Sequence, residues 1–319
     1  MTPNLELVTR AVAQVFPQRT IGAFNVLTGG LINANLKIDF ESNHDPVVLR
    51  IYRDGPEVCR KEVAIHNLVR SEVVVPKILH TEPDGSDGLP SFVILEFVTG
   101  VTFQELKRTN DLDAIHQASY SVGKTLAAIG RFQFGRPGRL VVENGLSVGS
   151  PFIEGADAIP RLLDMFLASP ACERRAGANL MHRIHNFAWT WSAKLPDLDA
   201  NPCLVHSDFG NRNILVREEN GKWLVSGVLD WEFAFSGSPL LDVGHFLRYE
   251  QIIEPLREPH FSRAFIENGG RLPDNWREIV RVIDLTALVE CLTHDDLPAD
   301  VEAELLELIN ATLEHRDPL

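Results

Sequence analysis

The sequence predicts an α+β protein in two parts: a small antiparallel sheet with a helix, then a larger and mainly helical region. Three observations lead there. Strand-length apolar runs crowd into the first hundred residues, apolar spacing turns helical from about residue 101, and one hairpin signal stands late, at Asn220-Gly221. In order, Leu5 to Phe16 reads as an amphipathic helix with Leu5, Val8, Ala11, Val12 and Val15 on one face. Strand-like runs follow at Ala23–Leu27, Asn35–Phe40 and Val47–Tyr52, the first two joined by a turn containing Gly29 and Gly30. A helix over about 58–70 and a strand over Ser91–Phe97 complete this part. Downstream helices are predicted near Phe103–Lys107, Leu112–Phe132, Ile159–Leu167 and Cys172–Lys194, and in several segments after Leu241. The glycine- and proline-rich stretch 136–151 reads as a loop or insertion. The domain reading is 1–98 and 99–319.

A chain of 319 residues can bury a sizeable core. Its 45% hydrophobic and 23% charged content is that of an ordinary globular protein. The net charge of −14 argues against general nucleic-acid binding, which runs on phosphate neutralisation by Lys and Arg. Four scattered cysteines form no C-x-x-C, so neither a metal cluster nor a disulfide framework is expected, and a reducing cytoplasm fits. No signal-peptide pattern and no membrane-spanning run is present, so no membrane association is expected. Acids gather late, and Val301, Leu305, Leu308 and Thr312 form a helical stripe among them, which reads as a solvated helix face. For Glu290, His294, Asp295 and Asp296, a solvated face and an acidic rim for a cationic ligand weigh equally.

The most informative segment is His206-Ser207-Asp208-Phe209-Gly210-Asn211-Arg212-Asn213, followed by a hairpin and Leu229-Asp230-Trp231-Glu232. Closing a hairpin over Ile214–Arg217 and Trp223–Leu229 brings Asn213 beside Asp230, with Asp208 on the loop just before. An amide oxygen and carboxylates suit Mg²⁺, which takes oxygen ligands and keeps substrate phosphates as partners.

This string resembles the catalytic loop and metal-binding segment of the protein-kinase-like fold, and in detail the aminoglycoside phosphotransferase and choline kinase-like small-molecule kinases. The following run, Asp230-Trp231-Glu232-Phe233-Ala234 and then Gly237-Ser238-Pro239-Leu240-Leu241-Asp242-Val243-Gly244, is similar to the same group. The resemblance implies a bilobal kinase-like fold, with Asp208 as the base that takes the acceptor's hydroxyl proton and Asn213 and Asp230 as magnesium ligands. It implies phosphate contacts from Gly29 and Gly30, which allow close backbone approach, although the turn is not G-x-G-x-x-G. Arg50 falls at the position of the kinase lysine, with Glu62 as its helix partner. Backbone groups of Glu96 and Val98 would read the adenine, and Leu215 would pack beneath it.

Asp242 is expected to tie the catalytic loop, and His206 to orient it. Ser207 replaces the arginine of H-R-D and no long activation segment follows, so switching by phosphorylation is not expected. Gly123-Lys124-Thr125 imitates a phosphate loop, but Ala118 stands where its first glycine is required. The implied activity is transfer of the γ-phosphoryl of ATP or GTP, with Mg²⁺, to a hydroxyl of a small molecule. The acids Glu250, Glu254 and Glu258 make an amine-bearing acceptor such as an aminoglycoside one candidate. The protein would act as a monomer or homodimer. The rival reading is a nucleotide-binding regulatory pseudokinase, for which Arg50 in place of lysine is the only support.

Overall fold

The computed structural model describes residues 4–27, 33–41, 44–86, 88–152, 155, 157–195, 197–198, 200–252 and 256–314. The first elements are α1 (Leu5–Ala13), β1 (Ile21–Val26), β2 (Ala34–Phe40), β3 (Val47–Ile51), α2 (Pro56–Val69), β4 (Ile78–Glu82), β5 (Phe92–Glu96), β6 (Val101–Thr102) and α3 (Phe103–Arg108). Next come α4 (Leu112–Ile129), β7 (Gly138–Val142), β8 (Leu146–Val148), α5 (Ala158–Leu167), α6 (Pro170–Ser192) and β9 (Cys203–Val205). A hairpin of β10 (Ile214–Glu219) and β11 (Lys222–Val228) is followed by β12 (Phe235–Gly237), α7 (Leu240–Leu247), α8 (His260–Glu267), α9 (Trp276–Cys291) and α10 (Ala299–Glu314). The α+β class read from the sequence is the one observed, with antiparallel sheets early and helices late.

The chain forms two compact units. The first comprises residues 1–111, 140–147 and 211–233. Its main sheet runs β1-β2-β3-β5-β4, all antiparallel. Val8, Ala11 and Val12 of α1 pack with Leu36, Ile38, Leu49 and Ile94 in one buried cluster. The Asn4 side chain caps α1 by accepting from the Leu7 amide at 2.9 Å. Strand β4 escaped the sequence reading because it lies at the sheet edge, where half-exposed residues such as His80 and Thr81 replace an apolar run.

The hairpin β10–β11 belongs to this unit by its contacts, since β10 also pairs with β6. It closes through Asn220 and Gly221, both with positive φ (53° and 74°), the geometry that Asn-Gly favours. Gly100 (φ 151°) is obligatory nearby: a Cβ there would stand 2.8 Å from the Val216 carbonyl oxygen.

The second unit comprises residues 112–139, 148–210 and 234–319. A buried cluster of Leu163, Leu167, Ile184, Leu288, Leu305 and Ile309 joins α5, α6, α9 and α10. The predicted stripe on α10 is present, with Leu305, Leu308 and Thr312 buried. Gly123 of the false phosphate loop sits inside α4, where a Cβ would come within 2.2 Å of the Phe261 carbonyl oxygen; it permits a close helix crossing with α8. The stretch 136–151, read as a loop, contains β7 and β8 instead. Its glycines and prolines masked a strand that pairs with β12, which in turn pairs with β9. Among the described residues no helix is long and apolar enough to cross a membrane.

Candidate active site

In the first unit, β3 aims Arg50 at the segment following β11. Arg50 is almost fully buried, as are Glu62 and Glu232. Its Nε donates to Glu62 Oε2 at 3.1 Å, Nη2 to Asp230 Oδ1 at 2.5 Å and Nη1 to Asn35 Oδ1 at 3.2 Å. Glu232 Oε1 lies 3.8 Å from Nη2, and Glu232 Oε2 accepts from Asn33 Nδ2 at 2.5 Å. Burial alone would make the guanidinium a weaker base, but Glu62 and Asp230 outweigh it and its pKa is raised. Three carboxylates thus surround one cation. The Glu232 carboxyl is pushed up to about 8, first by burial and then by Asp230.

The hairpin ends are tied together where the Leu229 amide donates to the Asn213 carbonyl oxygen at 2.8 Å. Asn213 therefore lies opposite Leu229, the residue before Asp230. Asp230 has φ 66°, a left-handed conformation that non-glycine residues seldom hold without a structural reason. The donor set fits a hard divalent cation: an amide oxygen, a carboxylate and a local excess of negative charge. Among the described residues no three His, Cys, Asp or Glu side chains gather as a metal cluster.

Elsewhere in this unit, the Glu96 amide donates to the Lys77 carbonyl oxygen at 2.9 Å, and Glu96 Oε1 accepts from the Lys77 amide. Val98 and Leu215 converge: a Cβ on Gly227 would stand 3.6 Å from a methyl of each. The side chains so joined form an apolar patch. Gly29 and Gly30 lie outside the described residues.

In the second unit, β9 runs into His206, and the loop carrying Asp208 is held from beneath. Asp242, wholly buried at the start of α7, accepts from the His206 amide at 2.7 Å and the Ser207 amide at 2.8 Å. Burial pushes its carboxyl up to about 7, while the two amides pull the other way. The Asp208 amide donates to His206 Nδ1 at 3.2 Å, so Nε2 carries the proton of the neutral ring. Ser207 adopts φ 69°. The residue before Asp208 is thus strained, and its neighbours hold it there. Asp242 and His206 have the structural roles expected of them.

The structure thus brings Arg50, Glu62, Asn213 and Asp230 together in one unit, groups Val98 with Leu215 in the same unit, and sets Asp208 on a loop of the other. Sequence reading missed Asn35, because strand register alone puts it opposite Arg50. It left Glu232 open, although its place two residues after Asp230 was the available signal.

Comparisons with known proteins bear on the family and the fold. The profile of the phosphotransferase enzyme family matches residues 24–281. Among solved structures, aminoglycoside phosphotransferase APH(4)-Ia is similar, with a TM-score of 0.69, 19% identity, and 97% of this chain and 98% of that one covered. A putative fructosamine-3-kinase from Haemophilus somnus 129PT gives a TM-score of 0.58 at 16% identity, with 97% of each chain covered. A variant of APH(4)-Ia is known in ternary complex with AMP-PNP and hygromycin B. At these identities the likeness shows the fold, which is the kinase-like fold expected. Acyl-CoA dehydrogenase family member 11 of Mus musculus is 36% identical over 87 residues, which are 27% of this chain and 10% of that protein. The matched segment therefore spans about a tenth of the length of that curated relative. With the family profile extending over most of its length, from before β2 into α9, the chain belongs to the phosphotransferase enzyme family.

Proposed function

We propose that the protein transfers the γ-phosphoryl group of ATP, or of GTP, to a hydroxyl of a small molecule. The reading is carried by one observation: within a phosphotransferase-family chain, a buried arginine is locked between Glu62 and Asp230, with Asn213 opposite Leu229, the residue before that second carboxylate. Phosphoryl transfer needs positioning and charge neutralisation more than covalent chemistry. In this reading Arg50, oriented by Glu62, meets the nucleotide phosphates, and Gly29 and Gly30 supply backbone amides to them. Glu96 and Val98 offer backbone groups to the base, above the Val98–Leu215 patch. Asn213 and Asp230 hold Mg²⁺, which when bound neutralises phosphate charge. Asp208 orients the acceptor hydroxyl and takes its proton, while Asp242 and His206 keep its loop rigid.

The test is substitution with two readouts. Asp208→Ala is expected to keep nucleotide binding and lose about 10²–10⁴-fold in turnover, the range for a general base. Asp230→Ala is expected to lose magnesium-dependent nucleotide binding. An Asp208→Ala enzyme that transfers phosphate at the parental rate would remove that residue from the mechanism. Acceptor-dependent ADP release in the parent separates the enzyme from a pseudokinase.

A further inference from the structure

The acids first considered for an amine-bearing ligand are engaged or undescribed: Glu250 pairs with Arg257, Glu258 pairs with Arg277, and Glu254 lies outside the described residues. Glu62 bears on a ligand in another way, through the arginine it orients.

Arg50 ends β3 together with Ile51, and Tyr52 follows, its amide donating to the Ser91 carbonyl oxygen at 2.9 Å. Positions 50 and 52 alternate along extended chain, so their side chains leave it on the same face. That face meets α2, where Cys59, Glu62 and His66 are buried on one side at helical spacing. The Tyr52 ring is buried in a cluster with Cys59, Val93 and Leu95. Its hydroxyl meets the Glu62 carboxylate. Burial, and then Glu62 through its charge and a hydrogen bond, push the hydroxyl's pKa well above its ordinary value. It therefore keeps its proton and is the donor. The ring also stands beside the cation, with its centroid 5.3 Å from the Arg50 guanidinium carbon. One side chain thus touches both members of the Arg50–Glu62 pair.

Glu62 needs such a hold. Its Oε2 takes Arg50 Nε at 3.1 Å, but the Trp231 amide reaches Oε1 only at 3.4 Å. His66 Nε2 stands 4.0 Å from Oε1, and burial lowers the pKa of its ring, which is neutral at pH 7 and forms no ion pair. A carboxylate gripped chiefly by the arginine it orients would turn with that arginine. A donor fixed in the core stops the turn. Orientation matters because a guanidinium binds phosphate through a planar, directional fork.

We propose that Tyr52 is a positioning residue for nucleotide phosphate: its hydroxyl fixes Glu62 and its ring confines the guanidinium, so that Arg50 keeps the orientation in which it meets phosphate. This role rests on the phosphotransferase reading of Arg50 and adds to it the group that holds the pair still.

The test uses the full chain with magnesium. Tyr52→Phe keeps the ring and removes the donor. Calorimetry reads ATP and GTP directly, and adenosine and guanosine by competition. Tyr52→Phe should bind whichever triphosphate the parent favours about tenfold more weakly, the scale of one charged hydrogen bond, and leave its nucleoside unchanged. Tyr52→Leu, which also removes the ring, should lose more. In a Glu62→Ala chain the hydroxyl has nothing to hold, so Tyr52→Phe should cost no further affinity there. The proposal falls if Tyr52→Phe binds triphosphate as the parent does, or if the loss persists in full without Glu62. It also falls if nucleoside and triphosphate weaken alike, the mark of a general loss of packing. A loss confined to the triphosphate, in a chain whose parent releases no ADP with any acceptor, would uphold Tyr52 and overturn the kinase reading. Turnover with a triphosphate KM untouched by Tyr52→Phe would do the reverse. A parent that binds neither triphosphate would overturn both.

Discussion

Around Arg50 three carboxylates share one guanidinium, whereas at Asp242 a single carboxylate sits in the core with no cation and takes two backbone amides. Both arrangements bury charge, and buried charge is tolerated only when paired or hydrogen-bonded. The difference lies in what is left over. Asp242 is satisfied by its own loop, so its role ends with holding His206 and Ser207 in place. The Arg50 cluster keeps surplus negative charge, which the divalent cation proposed above would neutralise. One region is a finished support; the other carries the proposed metal site.

Breaking each region should expose this contrast. Arg50→Gln strands three carboxylates and should cost about 3–5 kcal/mol, the usual penalty for orphaning a buried ion partner. Magnesium should recover part of that loss, read as a rise in melting temperature that Asp230→Ala abolishes. Asp242→Ala leaves two backbone amides unpaired and should cost about 2–6 kcal/mol by denaturant titration, at about 1–3 each. Here magnesium should restore nothing. Equal rescue of both variants would erase the distinction between the regions.

A smaller effect concerns pH. His245, buried on α7 with Nδ1 unpartnered, has its pKa lowered to about 3 by burial and by Arg248. A depressed pKa means that the unfolded chain binds the proton more tightly, so this contribution is present above pH 6.5 and is lost as pH falls toward 3. The Asp242 shift has the opposite sign: its raised pKa favours folding below 3.8, and that contribution is lost as pH rises through about 7. Stability measured against pH should therefore fall less steeply on the acid side in His245→Gln than in the parent. An unchanged acid limb would remove His245 as its source.

The smallest change is expected at Ser207. Glycine accepts φ 69° without a Cβ, so relief of strain and added freedom in the unfolded chain nearly cancel, and Ser207→Gly should shift stability by less than about 1 kcal/mol. A large loss would mean that the hydroxyl, rather than the backbone, matters there.

The parts legible in advance were those written in short spacings. The eight-residue string from His206 to Asn213, the Asn220-Gly221 turn and the stripe on α10 each depend on neighbours within one hairpin or one helix. The Arg50–Glu62 pair was legible because a twelve-residue separation spans one strand and one helix. The edge strand β4 and the strands β7 and β8 were not, because pairing with a partner distant in sequence makes a polar or glycine-containing run into a strand. Asn35 opposite Arg50, and Gly123 against Phe261, are likewise matters of register and helix crossing.

By itself the sequence determined the fold class, the order of the main helices and strands, and the family to which the acids and amide proposed for phosphoryl transfer point. Only the tertiary structure decided that Glu232 and Asn33 join the Arg50 cluster. It alone matched Arg248 to Asp284 and Arg277 to Glu258. The reason is physical: periodicity acts between residues a few positions apart, but the balance of buried charge is struck among groups up to about two hundred residues apart, such as Asn33 and Glu232, and no local pattern records it.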